Sequence, residues 1–247
     1  MFTLAYEDRV ARITIDRGEK RNAVPMAQWP CLEKLVTQAN MSDAQVIVFT
    51  SADPESFCAG SDLDELIHLK DDPKLRRCFR GGMESVFNKI RSVNKPTVAI
   101  IRGGCFGTGM SLAGACDIRV AHPNATFNIT PARFGIAFPQ NDVDRLVTMV
   151  GTGQAARLLF GCVTVSADEA LRIGLIEEID DREDVGAALV QGIAANSPLS
   201  LRTLKAMLQG RAGTRNSFDL AFGSRDFSER MVTRTGCENM PRPEVKA

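Results

Sequence analysis

Short apolar runs of strand length alternate with helical patterns over the first 140 residues, and this alternation limits the fold more than any other feature of the chain. The strand-like runs share a β-rich apolar composition and lie at 10–16, 46–50, 97–101 and 116–121. Between them, at 26–40 and 82–92, apolar residues recur at the three- and four-residue spacing of an amphipathic helix. This order predicts an α/β domain whose strands are joined by crossover connections.

Helical patterns replace this alternation after residue 140. They share apolar positions at helical spacing and lie at 144–150, 154–160, 167–173, 183–195 and 199–209. One strand-like fragment remains at 175–179, and no repeat or low-complexity linker separates the two parts of the chain. We therefore predict a mixed core over 1–190 and a helical C-terminal region over 191–247 that is not an independent domain.

The charge balance narrows the class of ligand. Thirty Lys and Arg cancel thirty Asp and Glu, so the chain lacks the basic surplus of a nucleic-acid or anionic-membrane binder. Scattered charges within the first twenty residues argue against an export signal or membrane anchor, which predicts a cytoplasmic protein. Seven cysteines without a CxxC pair favour buried apolar roles over disulfides or a structural metal site. We expect a small-molecule ligand, and neither a nucleic-acid nor a membrane partner.

Two glycine-rich turns stand between an apolar strand and a helix, at 57–61 and 103–109. Backbone amides at a helix start lack intrahelical acceptors and lie at the positive end of the helix dipole, so they attract negative charge. Dinucleotide binding is disfavoured because GTGMSL lacks the third glycine of the GxGxxG fingerprint, and no P-loop GK[ST] occurs. Each turn alone also fits ordinary close packing of a helix on a sheet.

Six segments, taken in order, resemble the crotonase superfamily, which is the enoyl-CoA hydratase/isomerase family. They span nearly the whole chain and read RNAV (21–24), FCAGSDL (57–63), KPTVAIIRGGCFGTGMSLAGACDIRVA (95–121), FNITPARFGIAFP (127–139), TVSADEALRIGLIEEI (164–179) and SPLSLRTLKAML (197–208). The resemblance implies a spiral of ββα turns and a helical C-terminal region that forms a homotrimer or a dimer of trimers. It also implies an acyl-CoA substrate, whose coenzyme A portion is the only cofactor expected.

In this family two peptide amides bind the thioester oxygen and stabilise an enolate. The resemblance places them at Ser61, which follows the Ala-Gly pair, and at Thr108, which stands where the family has glycine. Backbone donation tolerates both side chains, and each donor of such an oxyanion hole stabilises the transition state by about 3 kcal/mol. The resemblance further assigns coenzyme A contacts, and these residues are Ala59, Gly60, Ser61, Gly107 and Gly109, with Lys20 and Arg21 near the phosphates.

The chain departs from the family at both catalytic glutamates. Ser111 occupies the first glutamate position and Pro131, beside Thr130, occupies the second. Hydration needs an acid and a base, which a serine without a partner does not supply, so efficient hydration and single-glutamate isomerisation are disfavoured. The segment 127–138 resembles the methylmalonyl-CoA decarboxylase branch, where a Thr-Pro pair also replaces the glutamate, although that branch has a histidine at the position of Ser61.

Other polar residues give weaker predictions. Asp142 is the carboxylate nearest to the second missing glutamate, although helix capping is the simpler interpretation. The aspartate nucleophile of the aryl-CoA dehalogenase branch would fall on Pro139. The two histidines, His68 and His122, match no catalytic position of the family. Asp62 and Asp64 are expected as charges of a helix start, and a basic contact to coenzyme A from the altered C-terminus would involve Arg234 or Arg242.

These residues leave three hypotheses open. The first is an acyl-CoA enzyme that stabilises a thioester enolate without the glutamate pair, in β-carboxyacyl-CoA decarboxylation, thioester hydrolysis or a retro-aldol-like cleavage. The second is a member of the fold that binds acyl-CoA or a partner protein without turnover. The third is slow hydration through Asp142, or through a water molecule held by Ser111 and Thr130.

Overall fold

A computed structural model describes residues 1–211 and 215–234 of the chain. The strands of this part are β1 (Phe2–Glu7), β2 (Val10–Ile15), β3 (Val46–Ser51), β4 (Ser56–Cys58), β5 (Thr97–Ile101), β6 (Gly104–Phe106), β7 (Ile118–Ala121), β8 (Thr126–Asn128), β9 (Val165–Ser166) and β10 (Glu178–Ile179). Its α-helices are α1 (Trp29–Met41), α2 (Leu63–Leu66), α3 (Pro73–Ser92), α4 (Thr108–Ala115), α5 (Gln140–Gly161), α6 (Ala167–Arg172), α7 (Ala187–Ala195), α8 (Pro198–Leu208), α9 (Arg215–Phe222) and α10 (Arg225–Arg234).

The strands form two sheets. The larger has the order β1-β2-β3-β5-β7-β10 and is parallel except for the β1–β2 hairpin. The smaller has the order β4-β6-β8-β9, with parallel pairs between β4, β6 and β8 and an antiparallel pair between β8 and β9. Successive strand pairs β3–β4, β5–β6 and β7–β8 each place one strand in either sheet before a helix follows. The predicted ββα spiral is therefore confirmed.

The central strands of the larger sheet are buried on both faces, which explains their continuous apolar sequences. In β3, Ile47 and Phe49 belong to the main core, whereas Val46 and Val48 face a second cluster that includes Val190 of α7. Successive side chains of a strand point to opposite faces, so a strand of four consecutive apolar residues contacts both clusters. This packing holds β3 and β5 in place, and the chain continues from them toward the glycine-rich turns at 57–61 and 103–109.

The predicted strands and helices agree with the structure in type, and their ends differ where the apolar pattern fades. The helix expected at 82–92 begins at Pro73. Its first turns are polar, so the apolar pattern did not reveal them. Asp72 sets its N-terminus, because its carboxylate accepts from the amides of Lys74 and Leu75 at 2.8 and 2.9 Å. The separate helices expected at 144–150 and 154–160 are the two halves of α5, which bends at Gly151, where φ is 76°.

The chain divides into two compact units, Met1–Ala194 and a second that begins at Ala195. The division predicted at residue 190 falls inside α7. The second unit is helical where it is described, in agreement with the expected helical C-terminal region. Arg242 lies outside the described residues, and the role expected for Arg234 or Arg242 stays a prediction.

The described residues form neither a membrane-spanning helix nor a cluster of metal-ligating side chains. None of the helices there combines the length and the apolar character that crossing a bilayer requires. No group of three or more His, Cys, Asp or Glu side chains within the same residues is arranged to hold a metal ion.

Candidate functional site

The first glycine-rich turn is held by the segment 21–24. The Val24 amide donates to the Gly60 carbonyl at 2.8 Å, and the Ala59 amide donates to the Arg21 carbonyl at 2.9 Å. The Asp62 amide completes the pairing by donating to the Val24 carbonyl at 3.2 Å. These bonds use the amides of Ala59 and Asp62 and leave the Ser61 amide between them without a backbone acceptor among the described residues.

Asn22 organises this pairing, a role that the sequence analysis missed. Its side chain is fully buried, and its amide nitrogen donates to Ser51 Oγ at 2.7 Å and to the Ser56 carbonyl at 2.8 Å. Its side-chain oxygen accepts from the Arg17 amide at 2.7 Å. Asn22 adopts a left-handed conformation with φ of 58°, which asparagine tolerates better than most residues. The Asn within RNAV was the signal that could have identified it.

Gly60 and Gly109 bring the first turn and the start of α4 into contact. Gly60 has φ of +107°, and a Cβ there would lie 3.1 Å from the Phe106 carbonyl oxygen and 3.2 Å from the Thr108 nitrogen. A Cβ on Gly109 would lie only 2.4 Å from the Cys58 carbonyl oxygen. A side chain at Gly109 would therefore force the two segments apart, and one at Gly60 would meet tight contacts in a backbone conformation that favours glycine. Gly107, with φ of +52°, turns the chain into α4.

Ser61 and Thr108 meet where the two turns touch. Their hydroxyl oxygens, Oγ and Oγ1, are 2.7 Å apart and share a hydrogen bond. Both residues are partly exposed, and neither backbone amide donates to any acceptor among the described residues. Thr108 is the first residue of α4, so its amide also lies at the positive end of the helix dipole.

A second polar pair lies one helical turn beyond Thr108. Ser111 and Asp142 are 4% and 6% exposed, and both line a cavity of about 10 Å³ between α4 and α5. The Ser111 hydroxyl has no hydrogen-bond partner in the part of the chain that the structure describes. The hydroxyl lies close enough to the Asp142 carboxyl group to favour its ionised form, but the contact falls short of a full hydrogen bond.

Burial raises the pKa of Asp142 above its ordinary value of 3.8. The Ser111 hydroxyl and the cationic side chains of Arg91 and Arg145 oppose this effect, and the negative charge of Glu84 adds to it. The expectation that Asp142 caps a helix is wrong, because α5 has Pro139 at its N-cap and Asp142 lies in the first turn with its side chain turned inward. No side chain makes a capping hydrogen bond at this end of α5.

The other predicted site residues, Thr130, Pro131 and Lys20, belong to neither of these two pairs. Thr130 lies near the second turn, since its Oγ1 would be 3.5 Å from a Cβ on Gly107. Pro131 starts a short 3₁₀ helix, Pro131–Phe134, and carries no hydrogen-bonding side chain. Lys20 is exposed and pairs with Asp64, Nζ to Oδ2, at 3.0 Å.

Asp62 has the role of a helix-start residue. Its Oδ1 accepts from the Asp64 amide at 3.1 Å, and its Oδ2 accepts from Arg17 at 2.7 Å. The hydrogen bond from Arg17 is the main cause that lowers the pKa of Asp62. His122 bonds to Asn124 within its own turn, Nδ1 to Oδ1, at 2.7 Å, and His68 is exposed in the 3₁₀ helix Ile67–Leu69.

The sequence matches the family described as Enoyl-CoA hydratase/isomerase over residues 5–235. It is 29% identical over 230 residues to the short-chain-enoyl-CoA hydratase of Clostridium acetobutylicum, covering 92% of this chain and 87% of that protein. It is 31% identical over 193 residues to the mevalonyl-coenzyme A hydratase of Aspergillus fumigatus, covering 77% and 71% of the two chains.

Its fold is also similar to solved structures. An enoyl-CoA hydratase/isomerase family protein from Hyphomonas neptunium superposes with a TM-score of 0.88 at 30% identity, over 95% of this chain and 94% of that one. The matched region includes both glycine-rich turns and the whole of α4 and α5. The chain therefore belongs to the enoyl-CoA hydratase/isomerase family.

Proposed function

We propose that this protein is an acyl-CoA enzyme that stabilises the enolate of a coenzyme A thioester through the backbone amides of Ser61 and Thr108. One observation carries the proposal: the two amides lie on turns that touch, and neither donates to another described residue. The electron pair of an enolate resides largely on the thioester oxygen, so two fixed donors at that oxygen lower the energy of the anion. The dipole of α4 adds to this stabilisation at Thr108.

The coenzyme A portion would lie along the first turn. The carbonyl oxygens of Ala59 and Ser61 accept no hydrogen bond from other described residues, so they are suited to the amino group of an adenine. Gly60, Gly107 and Gly109 allow the thioester to approach the backbone closely because they have no side chains. Lys20 and Arg21 are exposed beside this turn, and we assign their charges to the phosphates.

Decarboxylation of a β-carboxyacyl-CoA is the reaction that this arrangement fits best. Cleavage of the bond to the carboxylate leaves its electron pair on the α-carbon as the enolate, so no base has to remove a proton first. Hydration of an enoyl-CoA needs an acid and a base, and the positions of Ser111 and Pro131 supply neither carboxylate. We expect slow hydration for this reason, although the curated relatives described above are named as hydratases.

The lack of carboxylates at Ser111 and Pro131 also favours a second candidate, in which the protein binds acyl-CoA or a protein partner without turnover. A single panel of substrates separates the two. The purified protein is incubated with malonyl-, methylmalonyl-, crotonyl- and 3-hydroxybutyryl-CoA while carbon dioxide, free thiol and enoyl absorbance are followed. Release of carbon dioxide from a β-carboxyacyl-CoA supports the proposal. Binding of every thioester without turnover supports the second candidate. Rapid hydration of crotonyl-CoA contradicts the second candidate and the choice of decarboxylation as the reaction.

We also propose that the helical C-terminal region assembles the chain into a homotrimer or a dimer of trimers. Within the second unit, a cavity of about 330 Å³ is lined mainly by apolar side chains. Large apolar side chains of the same unit are exposed, among them Leu204, Leu208, Phe218, Leu220 and Phe222. Such a surface is unusual for a monomer in water. Light scattering coupled to gel filtration tests the assembly, and a monomeric mass would contradict it.

A further inference from the structure

We propose that Asp142 exchanges a proton with the α-carbon of the bound thioester through one water molecule, which its carboxyl group and the Ser111 hydroxyl hold between them. This inference rests on the proposed function, because the α-carbon is placed only when the thioester oxygen binds at Ser61 and Thr108. It adds to that function the group that completes the reaction, since an enolate must gain a proton before the product leaves.

The first step of the argument is the direction in which Ser111 points. Thr108 and Ser111 are three residues apart in α4 and therefore lie on the same face of the helix. Three residues correspond to a rise of about 4.5 Å along the axis. The Cα–Cβ bonds of a helix tilt toward its N-terminus, so the Ser111 side chain leans toward the end where the Thr108 amide is exposed. An acyl group bound at that amide would have its α-carbon on this side.

The second step is the cavity between α4 and α5. Its volume of about 10 Å³ corresponds to space for roughly one water molecule. Most of its wall is apolar, and its polar groups are the Ser111 hydroxyl, the Asp142 carboxyl group and the Arg145 side chain. A buried hydroxyl without a partner is costly unless a ligand or water satisfies it, so the hydroxyl and the carboxyl group together define a site for that water.

The third step is the charge around Asp142. Ser111 faces it from α4, Arg145 from its own helix α5, and both Arg91 and Glu84 from α3. The effect of burial exceeds that of these neighbours, and the pKa of the carboxyl group is raised. A carboxyl group with a raised pKa binds its proton more tightly than one in water. This suits a group that must alternate between the protonated and the ionised form.

The step balances without another reactant. After carbon dioxide leaves, the enolate carbon forms a bond with a proton of the held water. That water takes the proton of the Asp142 carboxyl group at the same time, which leaves a carboxylate and restores the water. Solvent then protonates the carboxylate. In reverse, with a saturated thioester, the carboxylate takes an α-proton through the water, and the electron pair of the C–H bond moves to the thioester oxygen.

The reverse step gives a test that does not depend on the natural substrate. Butyryl-CoA is incubated with the protein in D₂O, and deuterium at the α-carbon is measured by mass spectrometry as a function of pD. Asp142→Asn keeps the shape of the side chain and removes its titration, so exchange should fall at least about 100-fold, the usual scale of acid–base catalysis. The limb of the pD profile that reports this carboxyl group should disappear. Ser111→Ala should slow exchange about tenfold, the scale of one hydrogen bond.

Asp144→Asn is the matched control, because Asp144 is exposed on the same helix and accepts from Gln140 Nε2 at 2.7 Å. It should leave both exchange and the pD profile unchanged. Calorimetry with butyryl-CoA separates the two proposals, since all variants should bind it within about twofold of the unaltered chain. Exchange that persists in Asp142→Asn, or binding without any exchange in the unaltered protein, overturns the role of Asp142. Failure of the unaltered protein to bind butyryl-CoA overturns the proposed function instead.

Discussion

Ser61 Oγ and Thr108 Oγ1 are 2.7 Å apart, so a hydrogen bond between side chains joins the two turns whose backbone amides we assign to the thioester oxygen. This bond connects β4 and its turn to the first residue of α4 across 47 positions of sequence. It stabilises the spacing of the two turns, while the groups that we propose as donors to the thioester are main-chain amides.

Removing either hydroxyl should therefore affect stability more than chemistry. Ser61→Ala and Thr108→Val should each lower the free energy of unfolding by about 1 kcal/mol, and the double variant should lose little more, because all three lack the same bond. Turnover of the substrate identified by the panel should fall less than tenfold. Urea denaturation and steady-state kinetics measure both effects. Loss of turnover in Ser61→Ala alone would instead assign the hydroxyl to the chemistry.

Gly109→Ala should separate the two turns. The added methyl group would lie 2.4 Å from the Cys58 carbonyl oxygen, so α4 must shift away from β4. Overpacking of this kind costs about 1–3 kcal/mol of stability. Displacement of the Thr108 amide should lower kcat about 100-fold, as expected for one lost oxyanion donor. Gly153→Ala in α5 is the control, because a Cβ there meets nothing within 4 Å. Equal kinetics in the two variants would refute the assignment of the Thr108 amide.

Asp142→Asn should stabilise the protein at neutral pH, by about 1–3 kcal/mol, the scale of an incompletely compensated buried polar group. The pKa of Asp142 is raised in the folded state, so ionisation opposes folding and its cost is complete above that raised pKa. The advantage of the variant should shrink as the pH falls through the raised pKa toward 3.8, where half of the unfolded carboxyl groups are also protonated. Denaturant titrations between pH 8 and pH 4 test this sign, and a variant less stable at pH 8 contradicts it.

Asp62→Asn should have the opposite pH dependence. Its pKa is lowered, chiefly by the hydrogen bond from Arg17, so the ionised form contributes stability above pH 3.8 that is lost as the pH falls through the folded-state pKa. The variant should lose about 1 kcal/mol at pH 7, the scale of a helix-capping interaction, and this loss should shrink progressively as the pH falls below 3.8. Asp64→Asn, on the exposed side of the same turn, should change stability by less than about 1 kcal/mol. If the difference in unfolding free energy between Asp62→Asn and the unaltered chain stays constant with pH, the ion pair between Asp62 and Arg17 is not the cause of that difference.

Gly114→Ala should occupy the cavity beside Asp142 without touching any proposed donor. The added methyl group would lie 3.4 Å from Met149 Cε and 3.6 Å from Arg145 Cδ, which are ordinary contacts, and both of these residues line the cavity. Alanine also favours the helix by roughly 1 kcal/mol, so the melting temperature should not fall. Deuterium exchange into butyryl-CoA should fall about tenfold because water is excluded. Unchanged exchange would mean that the proton does not travel through this cavity.

The apolar pattern predicted the strands and helices that are buried on one face or on both faces. Val46–Ser51 and Trp29–Met41 are examples, since their spacing alone selects the structure. The pattern did not predict β4, β6 or β8, which have three residues each and are formed by pairing with distant strands. Local sequence carries little information about such pairs.

At the candidate site, too, features set by local sequence were predicted and features set by distant contacts were not. The glycine-rich turns were found because glycine and helix starts have a local physical signature. Local physical patterns did not show the role of Asn22, because its partners lie up to 34 positions away and its burial is a property of the folded chain; the RNAV segment was the one sign of it in the sequence. The capping role expected for Asp142 was wrong for a related reason: its position in the helix was local information, whereas the direction of its side chain depended on packing against α4.

In the arrangement that we propose, the backbone of Arg21 holds the turn at the thioester, and its exposed side chain is assigned to the phosphates. Its carbonyl oxygen accepts from the Ala59 amide at 2.9 Å and from Ser56 Oγ at 2.8 Å, while its side chain is exposed. Another residue that adopts the same backbone conformation at position 21 could therefore replace Arg21 without moving the turn that we assign to the thioester. Under that assignment, affinity for the coenzyme A phosphates and the rate of the reaction are separable traits, and engineering of Arg21 should alter the first while keeping the second.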